Sequence, residues 1–315
     1  MKILVITNMY PRDDDPSYGV FVAEQHDALR AKGVAADLYI IEGFRSRGQY
    51  LRAIFELRRR RRCYRLFHAH HAYATLAAWL AGVRPLVATF HDNQIPASRW
   101  YRLFARALAS RVDCLIAVSP AVVRVLAPAR CVTIPMGTDL NLFSPRDKAA
   151  CRRALGWPDD RVYILFPAKP TRPEKRYDLA AQAAALSRRR HAGLELVTSG
   201  GYRRDEMGVL FGAADAVVVT SDVELGPLTV KEAIASGRPV VSRRVGDVEF
   251  LEKCPACIVV GDTPAAVAEG IERALDAGTA DPSPVRPYGA DAVAARLVAL
   301  YDEVIAANEA KGRVH

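Results

Sequence analysis

No nearly apolar run in this 315-residue sequence exceeds the 12 residues from Ala72 to Val83. That is well short of the ~20 residues a membrane-crossing helix requires. Met1-Lys2 runs straight into Ile3-Leu4-Val5-Ile6 with no h-region and small-residue cleavage site behind it, so no secretory signal is expected and the cytoplasm is the default compartment. Cysteine is sparse and scattered, at 63, 114, 131, 151, 254 and 257. Only Cys254-Pro-Ala-Cys257 has a suggestive spacing, and it lacks the second pair a zinc site would need. Cys257 leads into the strand-like Ile258-Val259-Val260 where a redox pair would sit at a helix N-terminus, so reduced thiols are expected there. The isoelectric point of about 9.4 invites a nucleic-acid reading, but no recognisable nucleic-acid module accompanies it. With 50% hydrophobic and 25% charged residues, the chain is neither disordered, collagen-like nor a disulfide scaffold. Its length suits two ordinary domains.

Strand-like and helix-like stretches alternate from end to end. The first half has apolar runs at Ile3–Thr7, Ala36–Ile41, Leu66–Ala69, Leu86–Phe90, Cys114–Val118 and Val132–Ile134, separated by helical patterns. The second half restarts with Tyr163–Phe166, Leu194–Thr198, Ala216–Thr220, Pro239–Ser242 and Ile258–Val260. Continuous Ile/Leu/Val strands between helices predict parallel sheets covered on both faces. The expected fold class is therefore α/β, with two Rossmann-like doubly wound domains. The join is expected near Phe143-Ser-Pro-Arg146, giving domains 1–145 and 146–288, with a last helix over 289–315 after the Pro-rich break at 281–287. The charge divides unevenly between the halves. Residues 1–145 carry 20 Lys+Arg against 11 Asp+Glu, whereas residues 146–315 carry 24 of each. The whole net charge of +9 thus belongs to the first half.

The most informative segment is Thr220-Ser-Asp-Val-Glu224-Leu-Gly226-Pro227-Leu228-Thr229-Val-Lys-Glu232-Ala. A strand ends at Thr220 and Gly226-Pro227 leads into a helix, proline being favoured in the first helical turn. A helix N-terminus offers N–H groups to a phosphate. Glu224 and Glu232 bracket it, eight positions apart, and can hold hydroxyls at two ends of a diphosphate-linked molecule. Taken by itself the pair would more often be an N-terminal acid and a solvated helical glutamate.

Glu-x7-Glu around Gly-Pro-Leu, followed by Ala233-Ile-Ala-Ser-Gly-Arg-Pro-Val-Val241, resembles the signature of family 4 retaining glycosyltransferases. Other segments agree in order: Arg172-Pro-Glu-Lys175, Ile134-Pro-Met-Gly137-Thr-Asp139, His68-Ala-His70, Thr89-Phe-His91, and Tyr10-Pro-Arg through Tyr18-Gly19, the last closest to the teichuronic-acid-type (glycosyl transferases group 1) branch. The resemblance implies the GT-B fold, with both domains facing a central cleft and the C-terminal helix crossing back to the first domain. It implies that Arg172 and Lys175 clamp a donor diphosphate and stabilise its developing charge, and that Glu232 receives ribose hydroxyls. Glu224 would lie beside the transferred sugar, with Gly226, Pro227, Leu228 and Thr229 at the sugar or phosphate. Gly19 would let the first loop approach the diphosphate, and His91 would stand near the reacting sugar carbon. Tyr18, His70 and His91 are the candidate acceptor contacts. His68 and His71 have the weaker claim, since a strand end commonly buries one histidine and exposes the next.

There are departures from the family pattern. Val197-Thr-Ser-Gly-Gly201 joins two segments that a turn, a helix and a strand normally separate, so base preference is not inherited and the second sheet is expected to lose a strand. Lys169 is an added phosphate candidate, and Met136 replaces an asparagine. Asp13-Asp14-Asp15 lies in a Pro-flanked loop and reads as solvated rather than as a metal site. No metal or other cofactor is expected, lysine and arginine offsetting the diphosphate charge.

The implied activity is a metal-independent, retaining hexosyl transfer from a nucleoside-diphosphate sugar to a hydroxyl acceptor in cell-envelope glycan, glycolipid or secondary-metabolite synthesis. Two alternatives stay open: a nucleotide-sugar epimerase of the same fold, and a non-catalytic nucleotide-binding protein with a shortened donor domain. The basic first half, densest at Arg58–Arg62, points to an anionic or lipid-linked acceptor, or to an anionic membrane at its inner face. A solvated helical face would look the same in sequence.

Overall fold

The computed structural model describes residues 1–312 apart from 16, 92–94, 96–97, 127–129, 227 and 247. The chain forms two compact units, one of Met1–Gly137 with Ala290–His315 and one of Thr138–Gly289.

The first unit contains a parallel six-stranded sheet of order β2-β1-β3-β4-β5-β6. Its strands are β1 (Lys2–Thr7), β2 (Ala35–Ile40), β3 (Leu66–His70), β4 (Leu86–Phe90), β5 (Cys114–Ala117) and β6 (Cys131–Thr133). The central strands β3, β4 and β5 are buried at every position, which explains their unbroken apolar runs. Helices α1 (Val20–Ala31) and α12 (Ala290–Gly312) pack together on one face, where Val22 and Leu29 meet Val293, Leu297 and Val304. The C-terminal helix thus returns to the first unit. The crossovers to β3, β4, β5 and β6 all advance the same way across the sheet, so right-handed connection places their helices on the other face. These helices are α2 (Gly48–Arg60), α3 (Ala72–Leu80), α4 (Arg99–Ala109) and α5 (Pro120–Leu126).

The second unit holds a parallel five-stranded sheet of order β11-β10-β9-β7-β8. Its strands are β7 (Val162–Phe166), β8 (Leu194–Thr198), β9 (Ala216–Val219), β10 (Val240–Arg243) and β11 (Cys257–Val260). It has one strand fewer than the first. Edge strand β8 feeds through residues 199–203 into a 3-10 turn at Arg204–Glu206 and then α8 (Met207–Ala213). The remaining helices are α6 (Lys148–Leu155), α7 (Tyr177–Ser187), α9 (Leu228–Ala235), α10 (Val248–Lys253) and α11 (Pro264–Ala277). Local signals set several starts. Asp147 caps α6, its Oδ1 accepting from the Ala150 N–H at 2.6 Å, and Thr263 caps α11 with proline in the first turn.

The units divide at Gly137/Thr138 rather than at the Phe143–Arg146 expected from sequence, and again at Gly289/Ala290. The reason is packing. Leu140, Leu142 and the fully buried Phe143 belong to the second unit's core, and the Thr138 N–H donates to the Tyr288 carbonyl at 2.8 Å. Gly137 itself has no room for a side chain, because a Cβ there would come within 2.8 Å of the Ala290 Cα.

All six cysteines are free thiols. The Cys257 N–H donates to the Cys254 carbonyl at 2.9 Å, and the two thiols influence each other, Cys254 being drawn down to about 7 and Cys257 pushed up.

Candidate functional site

In the second unit, the chain leaves β7 through an exposed loop and makes a single 3-10 turn at Pro173–Lys175. Arg176 then takes a left-handed conformation, φ 54°, before α7 begins. This turn is fixed from the neighbouring strand. The Thr220 hydroxyl, just past β9, donates at 2.9 Å to the carbonyls of both Lys175 and Arg176. The Asp222 N–H donates to the Glu174 carbonyl at 2.9 Å. Arg243, at the end of β10, closes the arrangement by donating to the Thr220 and Ser221 carbonyls at 3.1 and 3.0 Å and pairing with Asp222 and Asp262.

These contacts bring Lys175 and Glu224 together across 49 positions of sequence. The Lys175 Nζ donates to Glu224 Oε1, and the Ser221 hydroxyl donates to the same oxygen at 2.8 Å. Both charged side chains are largely buried, 16% and 12% exposed. Arg172 lies at the start of the turn, 52% exposed, with its guanidinium on Glu174 at 2.6 Å. Burial would raise the Glu174 carboxyl, but backbone hydrogen bonding at the turn and then the Arg172 guanidinium together hold it below its usual range.

Helix α9 begins at Leu228, preceded by the buried Leu225 and the half-buried Gly226; Leu228 and Thr229 are themselves half-buried. Pro227 lies outside the described residues. Glu232 is one turn inside α9 and 2% exposed. Its Oε1 accepts from Arg204 Nη1 at 2.7 Å, and Arg204 also stacks over the Phe143 ring, 4.8 Å from its centroid. Arg204 was not singled out in the sequence. It sits in the segment after the shortened Val197–Gly201 stretch, and its basic character three residues past Gly201 was the available signal. Lys169 is exposed.

In the first unit, the adjacent parallel strands β3 and β4 place His70 opposite Thr89, which brings His91 against it. His70 Nδ1 and His91 Nε2 hydrogen-bond at 2.9 Å with parallel rings. His68 lies two residues back on the same sheet face, between the Tyr301 hydroxyl of α12 and the Thr89 hydroxyl, each at 2.7 Å. His68 and His70 are both buried, 0% and 1% exposed. Side chains two apart share a face, and this face is covered. His71 is the half-buried one; it starts α3 with φ 77°. Burial, reinforced by the neighbouring imidazoles, drives His68 and His91 well below the ordinary histidine range and His70 down to about 3. The three imidazoles are neutral at neutral pH.

Gly19 starts α1 with φ 66°, and a Cβ there would lie 2.4 Å from the Met9 carbonyl carbon. Closure of the loop on itself thus demands glycine there, in addition to the ligand approach expected from sequence. Tyr18 is half-buried beside Arg12, whose guanidinium lies 4.8 Å from its ring centroid. In the acidic run, Asp14 pairs with Arg12 at 3.2 Å and Asp15 accepts from the Ser17 hydroxyl at 2.7 Å.

Comparison with known proteins decides the family. Residues 3–142 match Glycosyltransferase Family 4 and residues 162–277 match Glycosyl transferases group 1. The chain belongs to the family 4 glycosyltransferases. Among curated relatives, D-inositol 3-phosphate glycosyltransferases from Actinosynnema mirum and Mycobacterium bovis are each 28% identical over 68% of this chain. The alignments cover 61% and 51% of those proteins, so the chain spans little more than half their length. Sucrose-phosphate synthase from Thermosynechococcus elongatus superposes with a TM-score of 0.78 at 20% identity, covering 98% of this chain and all of that one. Anabaena HepE in complex with UDP and glucose gives 0.74 at 18% identity, over 96% and 100%. The fold is accordingly the two-domain α/β GT-B fold.

Proposed function

We propose that this family 4 member is a retaining glycosyltransferase. It would move a hexosyl group from a nucleoside-diphosphate sugar to a hydroxyl acceptor without a metal ion. The observation that carries the reading is the second unit's pairing of Lys175 with Glu224 and of Arg204 with Glu232 on either side of the start of α9. A diphosphate needs cations and N–H donors; Arg172 and Lys175 would supply the cations and the Gly226, Leu228 and Thr229 amides the N–H groups, with Pro227, which has no N–H, completing the turn beside them. Glu232 would take ribose hydroxyls and Glu224 the sugar. In the transfer, the bond from the anomeric carbon to the diphosphate oxygen breaks, and the acceptor oxygen bonds to that carbon on the same face. The acceptor proton passes to the departing phosphate. Lys175 and Arg172 would stabilise the charge that develops there. His91 would stand near the reacting carbon, with Tyr18 and His70 at the acceptor.

We also infer an anionic or lipid-linked acceptor, a cytoplasmic location and peripheral attachment at the inner membrane face, in the synthesis of an envelope glycan, a glycolipid or a secondary metabolite. No helix among the described residues is long and apolar enough to cross a membrane. The curated relatives are named for a phosphorylated polyol, which agrees with an anionic acceptor.

The test is a panel of UDP-, GDP-, ADP- and dTDP-sugars read by thermal shift, then product analysis by NMR. A ligand at 100 times its dissociation constant adds ~2.7 kcal/mol to the folded state, which is readily seen. Transfer with the donor's anomeric configuration, undiminished by EDTA, supports the reading. An epimerised sugar without acceptor, an inverted product or donor binding without any turnover would each replace it.

A further inference from the structure

The large apolar side chains that stand exposed among the described residues all belong to the first unit. Six of them lie on three consecutive helices of one sheet face: Leu51 and Phe55 on α2, Tyr73 and Leu80 on α3, Trp100 and Leu103 on α4. Helix α3 packs against both α2 and α4, so the three form one continuous layer. Trp100 is 81% and Phe55 67% exposed, far beyond the incidental exposure of a large apolar side chain. Neither is needed inside. The core beneath is already filled by Ala53 and Leu57 of α2 and by Ala74, Ala77 and Ala78 of α3, while α4 turns Tyr101, Ala105 and Leu108 inward.

Basic side chains interleave with this apolar layer. Arg52 and the run Arg58–Arg62 belong to α2 and the turn after it, and Arg99, Arg102 and Arg106 to α4. Helix α4 has no acidic residue, and the single one on α2, Glu56, is engaged by Arg59 and Arg60 at 3.4 and 3.9 Å. Phe55, Arg58, Arg59, Arg61 and Arg62 together line a shallow, open depression. A ring flanked by guanidinium groups suits a phosphate head joined to an acyl chain.

We propose that the α2–α3–α4 face seats the protein on an anionic phospholipid bilayer, with Trp100 and Phe55 entering the interface and the arginines around Phe55 holding headgroup phosphates. The interleaving selects this occupant. A bilayer surface satisfies arginine and tryptophan together, because guanidinium groups pair with headgroups while indole sits at the acyl boundary. A second copy docked symmetrically would set one arginine row near another. The proposal deepens the membrane part of the function above and is independent of the donor site.

The test uses the full chain with Trp79 and Trp157 replaced by phenylalanine, leaving Trp100 as the sole tryptophan, excited selectively over the tyrosines. Vesicles of phosphatidylglycerol and phosphatidylcholine in equal parts are compared with pure phosphatidylcholine. Co-sedimentation with the anionic vesicles only is expected, weakened at high salt, with Trp100 blue-shifted and quenched by brominated acyl chains. The combined R58Q, R59Q, R61Q and R62Q variant should bind about tenfold or more weakly, and W100S with F55S should lose the salt-resistant part. Absence of binding at low salt overturns the proposal, as does binding with Trp100 unquenched. Self-association abolished by W100S would assign the face to a second copy instead. Nucleotide-sugar thermal shifts, measured without vesicles on the same preparations, report the donor site separately.

Discussion

The rings of His70 and His91 are parallel and joined by one hydrogen bond, His70 Nδ1 to His91 Nε2, at 2.9 Å. Their outer nitrogens, His70 Nε2 and His91 Nδ1, are buried and have no protein partner among the described residues. A neutral imidazole carries one proton on one of its two nitrogens. Whichever ring donates the shared bond, the pair therefore ends in one donor and one acceptor, and His91's tautomer is tied to His70's. In 15N-labelled protein, His91 should show a single tautomer in the wild type and in His70→Asn, whose amide can replace Nδ1. His70→Phe should give a tautomeric mixture and a raised His91 pKa. An unchanged His91 spectrum in His70→Phe would dissolve the coupling.

The histidine group also makes stability depend on pH. His68, His70 and His91 are all held below 6.5, so in acid the unfolded chain takes up protons before the folded one does. Their contribution is intact above about 6.5 and is lost as pH falls below it, until the native groups protonate, near 3 for His70. Each can contribute up to about 1.4 kcal/mol per pH unit in that window. The thermal midpoint should drop between pH 7 and pH 4.5, and the drop should shrink in His70→Asn. Equal slopes in the two proteins would remove His70 from the linkage.

Lys175 and Glu224 should matter to turnover more than to folding. Lys175→Ala leaves a carboxylate that is 12% exposed with Ser221 as its remaining partner, costing about 1–3 kcal/mol. In the proposed reaction it also removes a cation from the departing diphosphate, lowering kcat about 100-fold or more. Glu224→Gln keeps the shape and the Ser221 contact, so it should retain the midpoint while losing rate. Near-normal rates in both variants would sink the assignment.

How much of this was legible beforehand follows from where each feature originates. Strand positions were readable because a doubly covered parallel sheet needs continuous apolar runs, and β3, β4 and β5 are buried at every residue. Lys175, Glu224 and Glu232 were singled out by the resemblance of single segments to the family pattern, since their spacing alone would more often mark solvated side chains. The boundary at Gly137 was not, because the packing of Leu140 and Phe143 into the second core is tertiary. Nor were His70–His91 or Arg204–Glu232. The first depends on the register that sets His70 opposite Thr89. The second joins residues 28 apart, through a segment whose spacing departs from the family pattern.

Arg204 should accordingly influence nucleotide binding through Glu232. Arg204→Ala leaves Glu232, 2% exposed, without its guanidinium at 2.7 Å. Arg204→Lys keeps charge but loses the planar fork that stacks over Phe143. Under the proposed function both should raise the donor KM, by about tenfold for alanine and less for lysine, with kcat changed little. A fall in kcat at constant KM would place Arg204 at the transferred sugar instead of the ribose.

Gly19 offers a test that separates backbone from ligand. Its φ is 66°, and a Cβ at this position would stand 2.4 Å from the Met9 carbonyl carbon, so Gly19→Ala strains the first loop in the unliganded protein. The variant should lose about 1–3 kcal/mol of stability, read as a lowered thermal midpoint with no nucleotide sugar present. Were glycine needed only for the approach of a ligand, the midpoint would hold and donor binding alone would suffer. The two causes predict different measurements on the same variant, and the contact with Met9 favours a loss of stability even without ligand.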